Sequence, residues 1–141
     1  VVYKEYRYHI WNGPQLPPFL VLYRTHIRAP LDVAAIRAAA AHLMGRHDFA
    51  ALTANPNREV ESTVRELRRL TVTRRGPEII ITAGSSGFLY KMVRSIAGVL
   101  IRVGAGELNP DVVPEILASR IRTARVPTAP PQGLFLWQVR Y

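Results

Sequence analysis

One segment of the chain, residues 87–98, restricts the possible folds more strongly than any other. Its apolar residues recur at helical spacing, which predicts a helix from Phe88 to Gly104. One side of that helix is apolar and is expected to pack on a core; it carries Phe88, Met92, Ile96, Val99 and Val103. Arg94 falls nearly opposite, again among apolar neighbours. A guanidinium in such surroundings is costly unless an anion meets it, so we expect a negative group opposite Arg94.

The composition predicts a single domain, residues 1–141, with an anionic partner. Hydrophobic residues make up 48% of the 141 positions, which is enough for a core and argues against disorder. The 19 Lys and Arg against 10 Asp and Glu give a formal charge of +9. Nucleic acid suits this charge better than a membrane, because no apolar run is long enough to span a bilayer. The alternative is a basic protein that is merely soluble.

The chain lacks cysteine, which restricts both its chemistry and its expected location. Disulfides, zinc–thiolate sites and cysteine nucleophiles are excluded, and the composition is compatible with a reducing cytoplasm. No signal peptide is visible, and the chain begins with Val1 in strand-like sequence rather than with methionine. We therefore expect a cytoplasmic protein of which this chain is a fragment.

Alternation, turn residues and helical spacing predict the order strand, helix, strand, strand, helix, short helix, strand. The first helix is expected to have Asp32 as its N-cap and to end at Gly45. Residues 20–23 are expected to be extended and residues 47–49 to form a loop. The remaining strands and helices are expected at residues 2–11, 64–74, 78–83, 88–104, after Pro114 and at 134–141. This order indicates an α+β fold, an antiparallel sheet with helices packed on one face, of the ferredoxin-like or RRM-like kind.

Some polar residues allow two interpretations. Tyr6 and Tyr8 lie on one face of the first strand. They either pack as a pair in the core, which the local pattern favours, or form an aromatic platform that stacks a nucleobase. Asp48 either pairs with a nearby base or caps the turn after Gly45, and we favour the cap.

The candidates for metal or phosphate binding are weaker. The four histidines, His9, His26, His42 and His47, match no metal-ligand spacing, so we predict no metal site. The Gly-Ser-Ser-Gly turn at residues 84–87 precedes a helix and could cradle a phosphate. A plain turn is the simpler interpretation, and we prefer it.

Six short blocks along the chain carry more information together than separately. They are Lys-Glu-Tyr-Arg-Tyr at 4–8, Pro-Leu-Asp at 30–32, Gly-Arg-His-Asp-Phe at 45–49, Thr-Val-Arg at 63–65, Gly-Phe-Leu-Tyr-Lys-Met-Val-Arg at 87–94 with Gly98, and Thr-Ala-Pro-Pro-Gln-Gly-Leu at 128–134. In order and rough spacing the chain resembles the TruA family of tRNA pseudouridine synthases along essentially its whole length. The block at 87–94 and the Thr-Ala-Pro loop are specific in combination.

The resemblance implies conversion of uridine to pseudouridine in the anticodon stem-loop of tRNA. Such enzymes flip the target nucleotide out of its stack; a carboxylate acts on it, the glycosidic bond breaks, and the uracil is rejoined through carbon. The resemblance implies neither a metal nor an organic cofactor. Tyr6 matches the pocket tyrosine that lies against the flipped base, and Arg94 matches the basic residue that pairs with the catalytic aspartate. Phe88 and Met92 are expected to line the same pocket.

One departure limits what the resemblance implies. The family's catalytic aspartate lies in a Gly-Arg-Thr-Asp motif, which this sequence lacks; Asp32, Asp48 and Asp111 all stand in other contexts. The resemblance therefore implies the second of two related halves, with the aspartate on a missing N-terminal half. The isolated chain is then expected to be inactive. A lesser departure is Ser86, where an asparagine is usual.

The resemblance further implies tRNA as a partner and a homodimer for the parent enzyme. Contacts with phosphate are expected from a set of basic residues: Arg58, Arg65, Arg74, Arg75, Lys91 and Arg102. Two other classes of protein remain as alternatives. A non-catalytic RNA-binding module of similar α+β build would expose both Tyr6 and Tyr8 on its sheet. A structural subunit would use its exposed sheet for dimerisation.

Overall fold

The structure, a computed structural model, describes residues 2–54 and 62–141. The strands in these residues are β1 (Tyr3–Asn12), β2 (Thr25–Ile27), β3 (Gly45–Asp48), β4 (Val64–Arg75), β5 (Glu78–Ser85) and β6 (Leu134–Arg140). The α-helices are α1 (Val33–Leu43), α2 (Met92–Gly104) and α3 (Val113–Ser119). Short 3-10 turns lie at Pro18–Leu20, Ala50–Leu52, Pro110–Val112 and Pro131–Gly133. Arg58 lies outside the described residues.

Strand β1 pairs with three other strands of the sheet, whose main order is β2–β1–β5–β4–β3. On one side β1 pairs with β5, and on the other it pairs with β6 along residues 3–8 and with β2 along residues 10–12. All pairs are antiparallel except that of β1 with β2. Residues 13–24 make the crossover back to that edge, about the dozen residues that a parallel connection requires.

The core lies between one face of this sheet and the helices. On β1, Tyr8 and Ile10 are fully buried and stand opposite Ile81 and Ile79 of β5. Helix α1 packs on β4, α2 packs on β1, and the two helices pack on each other. The α+β class predicted from the sequence is confirmed, with one parallel pair added to an otherwise antiparallel sheet.

The two long helices approach closely because small residues line their contact. Ala39 and Ala40 of α1 are buried, and a Cβ on Gly104 of α2 would overlap the side chain of Ile36. The side chain of Asp32 accepts a hydrogen bond from the backbone nitrogen of Ala35 at 3.1 Å, which confirms the predicted N-cap of α1.

Several predicted elements or bounds are wrong. Helix α1 ends at Leu43 and not at Gly45, and α3 begins at Val113, so that Pro114 lies in its first turn, where a proline is tolerated, rather than before it. Residues 20–23 are not an extended strand, and residues 45–48 form β3 rather than a loop, because the backbone of β4 supplies the pairing that this short segment lacks by itself. Helix α2 begins at Met92 and not at Phe88, since Lys91 just before it is left-handed with φ at 55°. A side chain in that conformation interrupts a right-handed helix. Phe88 therefore belongs to a turn.

Candidate active site

The turn before α2 is held by its own serine. Ser85 is fully buried, and its hydroxyl donates to the carbonyl of Gly87 at 2.9 Å and accepts from the backbone nitrogen of Gly87 at 3.2 Å. The turn ends where the backbone nitrogen of Met92 donates to the carbonyl of Leu89 at 3.0 Å. These bonds favour the plain-turn interpretation of residues 84–87, and they direct Phe88 towards β1.

Tyr6 of β1 meets Phe88 edge to face. The ring centres are 5.1 Å apart and the ring planes are 86° apart, a favourable geometry for two aromatic rings. Tyr6 is half-buried and pairs with Ala83 of β5 and Leu136 of β6. Two blocks that are about eighty residues apart in the sequence thus meet at one place on the sheet.

A small cavity of about 80 Å³ opens at this contact. It is lined by Tyr6, Phe88, Leu89, Lys91, Met92, Val93, Arg94 and Leu134. The four residues that the sequence assigned to catalysis and to the substrate pocket therefore line one cavity. Met92 is fully buried and belongs to the hydrophobic core, so it is the lining residue that connects the cavity to the core.

Arg94 is half-buried on the first turn of α2 and bonds to the Thr-Ala-Pro loop. Its Nε donates to the carbonyl of Ala129 at 2.7 Å, and the backbone nitrogen of Ala129 donates to the carbonyl of Arg94 at 3.0 Å. Within residues 2–54 and 62–141, no carboxylate forms an ion pair with Arg94. The anion expected opposite Arg94 is thus not supplied by this part of the chain.

Tyr8 is part of the hydrophobic core, whereas Tyr6 lines the cavity. It is fully buried, and its hydroxyl donates to the carbonyl of Pro130 at 2.7 Å and bonds with the hydroxyl of Thr25 at 2.6 Å. Burial raises the pKa of the Tyr8 phenol. An exposed platform of both tyrosines is therefore wrong, and the core interpretation holds for Tyr8.

The basic residues expected to contact phosphate are distributed unevenly around the cavity. Lys91 is exposed on its rim, and the side chain of Arg65 runs beside Gly87 of the same turn. Arg74 and Arg75 lie at the other end of β4 from Arg65, where Arg74 also donates to the side chain of Asn12 at 3.1 Å.

Arg102 points away from the cavity, to a second one of about 330 Å³ between α2, β2 and the Thr-Ala-Pro loop. Its guanidinium donates to Glu107 at 3.2 Å and to the carbonyl of Ala124 at 2.6 Å. Lys91 and Arg65 are thus the two basic residues of the predicted set that the described fold brings next to Tyr6 and Arg94.

Asp48 is engaged in a turn. Its Oδ1 accepts from the hydroxyl of Thr63 at 2.6 Å and from the backbone nitrogen of Ala50 at 3.0 Å, which confirms the predicted cap. Its Oδ2 also lies 3.6 Å from Nε of Arg120, so the alternative, pairing with a nearby base, is present as well. The hydrogen bond from Thr63 is the main reason that the pKa of Asp48 lies below its ordinary value. In the described ranges, no group of three histidine and carboxylate side chains is arranged to hold a metal ion.

The opposite face of the sheet, here called the open face, carries features that sequence reasoning missed. We define it by Arg7 and His9 of β1, Phe135 and Trp137 of β6, and Tyr23. His9 stacks edge to face on Phe135 with ring centres 5.1 Å apart, and the guanidinium of Arg7 lies 4.1 Å from the centre of the Trp137 ring. Alternation puts Arg7 and His9 on one face of β1 and Phe135 and Trp137 on one face of β6, but only the pairing register brings the two sets together.

His9 is nine-tenths buried, and both of its ring nitrogens lack a hydrogen-bond partner among the described residues. Burial lowers the pKa of His9, and the guanidinium of Arg24 lowers it further. Trp137 and Tyr23 beside it are about half exposed, at 52% and 50%. The open face thus combines exposed aromatic rings with a buried imidazole that makes no hydrogen bond in the described residues and whose Nδ1 lies 4.0 Å from a carboxylate oxygen of Glu78.

The fold and the cavity together define a basic α+β domain that presents a tyrosine and an arginine on one pocket. The sequence profile of a family described as tRNA pseudouridine synthase matches residues 39–141. The chain belongs to this family. In the described part of the chain, no helix is of sufficient length and hydrophobicity to cross a bilayer.

Individual proteins that are similar in sequence to this chain carry the name of the same family. The chain is 47% identical over 138 residues to tRNA pseudouridine synthase A of Geotalea uraniireducens, 44% identical over 138 residues to that of Brevibacillus brevis, and 42% identical over 138 residues to that of Geotalea daltonii. Each comparison covers 98% of this chain and 56% of the relative. The chain thus spans little more than half the length of these relatives.

Proposed function

We propose that this chain is the C-terminal half of an enzyme that isomerises uridine to pseudouridine in the anticodon stem-loop of tRNA. The observation that carries the proposal is the meeting of Tyr6, Phe88 and Arg94 on one cavity. Arg94 has a neutral carbonyl as its described partner, which suits a site completed by a carboxylate from another part of the enzyme. Its relatives named tRNA pseudouridine synthase A support the reaction and the tRNA substrate.

The proposed roles follow from the chemistry of the two side chains. An arginine beside a catalytic aspartate keeps that carboxylate ionised and orients it through charge-assisted hydrogen bonds. Tyr6 lies against the flipped uracil and assists proton movement at its C5 atom. During the isomerisation the bond from C1′ of the ribose to N1 breaks and a bond from C1′ to C5 forms. C5 loses its proton and N1 gains one, so the reaction needs no external reactant.

The basic side chains are proposed to bind phosphates of the tRNA and so to orient it on the cavity. Lys91 and Arg65 lie beside the cavity and are assigned to phosphates that flank the flipped nucleotide. Arg74, Arg75 and Arg102 are assigned to more distant phosphates, and Arg58, which lies outside the described residues, is assigned to phosphate without a position. The formal charge of +9 supports this assignment, and binding should weaken as salt increases.

We also propose that the complete enzyme is a cytoplasmic homodimer that covers the open face with a second copy. The rings of Trp137 and Tyr23 are about half exposed, and a two-fold axis through this face would cover the same aromatic patch in both copies. Sedimentation of the complete gene product should give a dimer, and Trp137→Glu should shift it towards monomer. A dimer that Trp137→Glu leaves intact would contradict this interface.

Tritium release from tRNA labelled at C5 of uridine tests the proposed reaction. The isolated 141 residues should release no tritium. A chimera in which this chain replaces the matching part of the Geotalea uraniireducens synthase should be active, because that enzyme's remaining part would supply the aspartate. Turnover by the isolated chain would show that the nucleophile lies within it and that the half-enzyme proposal is wrong.

A non-catalytic RNA-binding module is the competing proposal, and one observation weighs against it. Base stacking would need both tyrosines of β1 exposed, whereas Tyr8 is fully buried. An inactive chimera that still binds tRNA tightly would favour the module over the enzyme.

A further inference from the structure

Arg122 is a guanidinium outside the cavity that connects two elements of the site. We propose that it is a positioning residue for the reaction: it clamps the loop of residues 127–130 onto the first turn of α2 and so holds Arg94 in its working orientation. The effect on turnover rests on the proposed function, whereas the effect on the orientation of Arg94 does not.

The clamp consists of two hydrogen bonds from one planar group. Nη1 of Arg122 donates to the hydroxyl of Ser95 at 2.8 Å, and Nη2 donates to the hydroxyl of Thr128 at 2.6 Å. Ser95 belongs to α2 and Thr128 to the loop. Because the two terminal nitrogens of a guanidinium have a fixed separation, they also fix the separation of the two hydroxyls.

Each anchor of the clamp is next in sequence to a member of the Arg94–Ala129 pair. Ser95 follows Arg94, and Thr128 precedes Ala129. The Ser95 hydroxyl also donates to the carbonyl of Lys91 at 2.9 Å, which ties the clamp to the start of the helix. A shift of Thr128 would therefore move the carbonyl of Ala129, to which Nε of Arg94 donates at 2.7 Å.

General stability does not explain this arrangement well. Burial lowers the pKa of Arg122, because removing a charged guanidinium from water costs free energy. None of the ion pairs found in residues 2–54 and 62–141 includes Arg122, so no carboxylate there offsets this cost. What the guanidinium supplies instead is a defined distance between a helix and a loop.

The rest of the loop is held at its two ends. At one end, a Cβ on Gly98 would overlap the carbonyl of Pro127, so the loop lies directly on α2. At the other end, the hydroxyl of Tyr8 donates to the carbonyl of Pro130 at 2.7 Å. The bond from Arg122 to Thr128 holds the stretch between them, next to the carbonyl that orients Arg94.

Kinetics of the complete gene product test the catalytic part. Arg122→Lys keeps the charge but cannot span both hydroxyls, and Thr128→Val removes one acceptor with little change of shape. Each should lower kcat on the order of tenfold or more and leave KM for tRNA within about twofold, because a slight misplacement costs turnover rather than binding. The double variant should be no slower than Arg122→Lys alone. The control is Arg125→Lys, a half-buried neighbour that pairs with Glu115 outside the clamp and should change neither constant.

Hydrogen exchange at Nε of Arg94 tests the clamp without any reaction. The Nε–H resonance can be assigned by its loss in Arg94→Lys. Its exchange should accelerate about fivefold or more in Arg122→Lys and Thr128→Val, and stay unchanged in Arg125→Lys.

The outcomes separate the two proposals. Unchanged exchange in both clamp variants would overturn the positioning role, as would a kcat within about twofold of the parent. If the parent protein shows no turnover, the proposed function fails. The exchange measurement then still tests whether Arg122 holds Arg94 in its orientation. Should Arg122→Lys fail to fold, Thr128→Val alone decides it, because that change removes only a hydroxyl.

Discussion

Arg94 and Ala129, 35 residues apart in the chain, exchange two hydrogen bonds. The backbone nitrogen of Ala129 donates to the Arg94 carbonyl at 3.0 Å, and Nε of Arg94 donates to the Ala129 carbonyl at 2.7 Å. This exchange joins the first turn of α2 to the Thr-Ala-Pro loop. In the described residues the terminal nitrogens of Arg94 have no hydrogen-bond partner, so they are the atoms that can meet a carboxylate.

Replacing Arg94 should abolish most activity of the complete gene product and leave it folded. Arg94→Ala removes the cation proposed to keep the catalytic aspartate ionised, and kcat should fall by about two orders of magnitude. The lost bond to Ala129 should cost about 1 kcal/mol of unfolding free energy. Tritium release and urea unfolding measure the two effects, with the exposed Arg46→Ala as control. Turnover equal to that of Arg46→Ala would remove Arg94 from the mechanism.

The hydroxyl and the ring of Tyr6 should contribute to different kinetic constants. Tyr6→Phe keeps the edge-to-face contact with Phe88 at 5.1 Å and removes only the phenol oxygen. Because proton transfer by a positioned group is lost, kcat should fall about a hundredfold while KM for tRNA stays nearly constant. Tyr6→Leu should also raise KM, since the ring that contacts the base is lost. Tyr141→Phe, at a residue that is 93% exposed, is the matched control. A kcat for Tyr6→Phe equal to the control would show that the phenol takes no part.

Asn12 should be important for stability rather than for turnover. Its Nδ2 donates to the carbonyls of Ile27 and Ala29 at 2.9 and 2.7 Å, and its Oδ1 accepts from Arg74 at 3.1 Å. Asn12→Ala leaves two part-buried carbonyls and the buried backbone nitrogen of Leu31 without this partner, so the free energy of unfolding should fall by about 2–3 kcal/mol. Urea unfolding measures the loss against Gln15→Ala, an exposed change that should be neutral. A loss below about 0.5 kcal/mol would mean that water replaces these bonds.

His9 should make stability depend on pH near neutrality. Its pKa is lowered in the folded protein, so the unfolded chain takes up the proton more readily. Stabilisation is therefore complete above the unfolded pKa of about 6.5 and is lost as pH falls below that value towards the folded pKa. Between about pH 7.5 and pH 5.5, the urea midpoint should fall more for the parent than for His9→Gln. Parallel curves for the two proteins would show that His9 does not titrate differently on folding.

The sequence by itself determined those features that depend on neighbours along the chain. Alternation in β1 placed Tyr6 and Tyr8 on one face of the strand, and Asp32 marked the start of α1, because side-chain direction and capping are local properties. The block at 87–94 and the Thr-Ala-Pro loop also led to one family before any geometry was known. A common pocket for Tyr6, Phe88, Met92 and Arg94 was an implication of that resemblance and not of spacing.

Only the tertiary structure decided features that depend on distant partners. β3 exists because β4 pairs with it. Helix α2 begins at Met92 because Lys91 is left-handed, and Phe88 before it lies in a turn that contacts Tyr6. Arg122 offers no signal in sequence, since its partners lie 27 and 6 residues away and are ordinary hydroxyls. Hydrogen bonds and packing across such separations cost loop-closure entropy and form only when the whole fold brings the groups together.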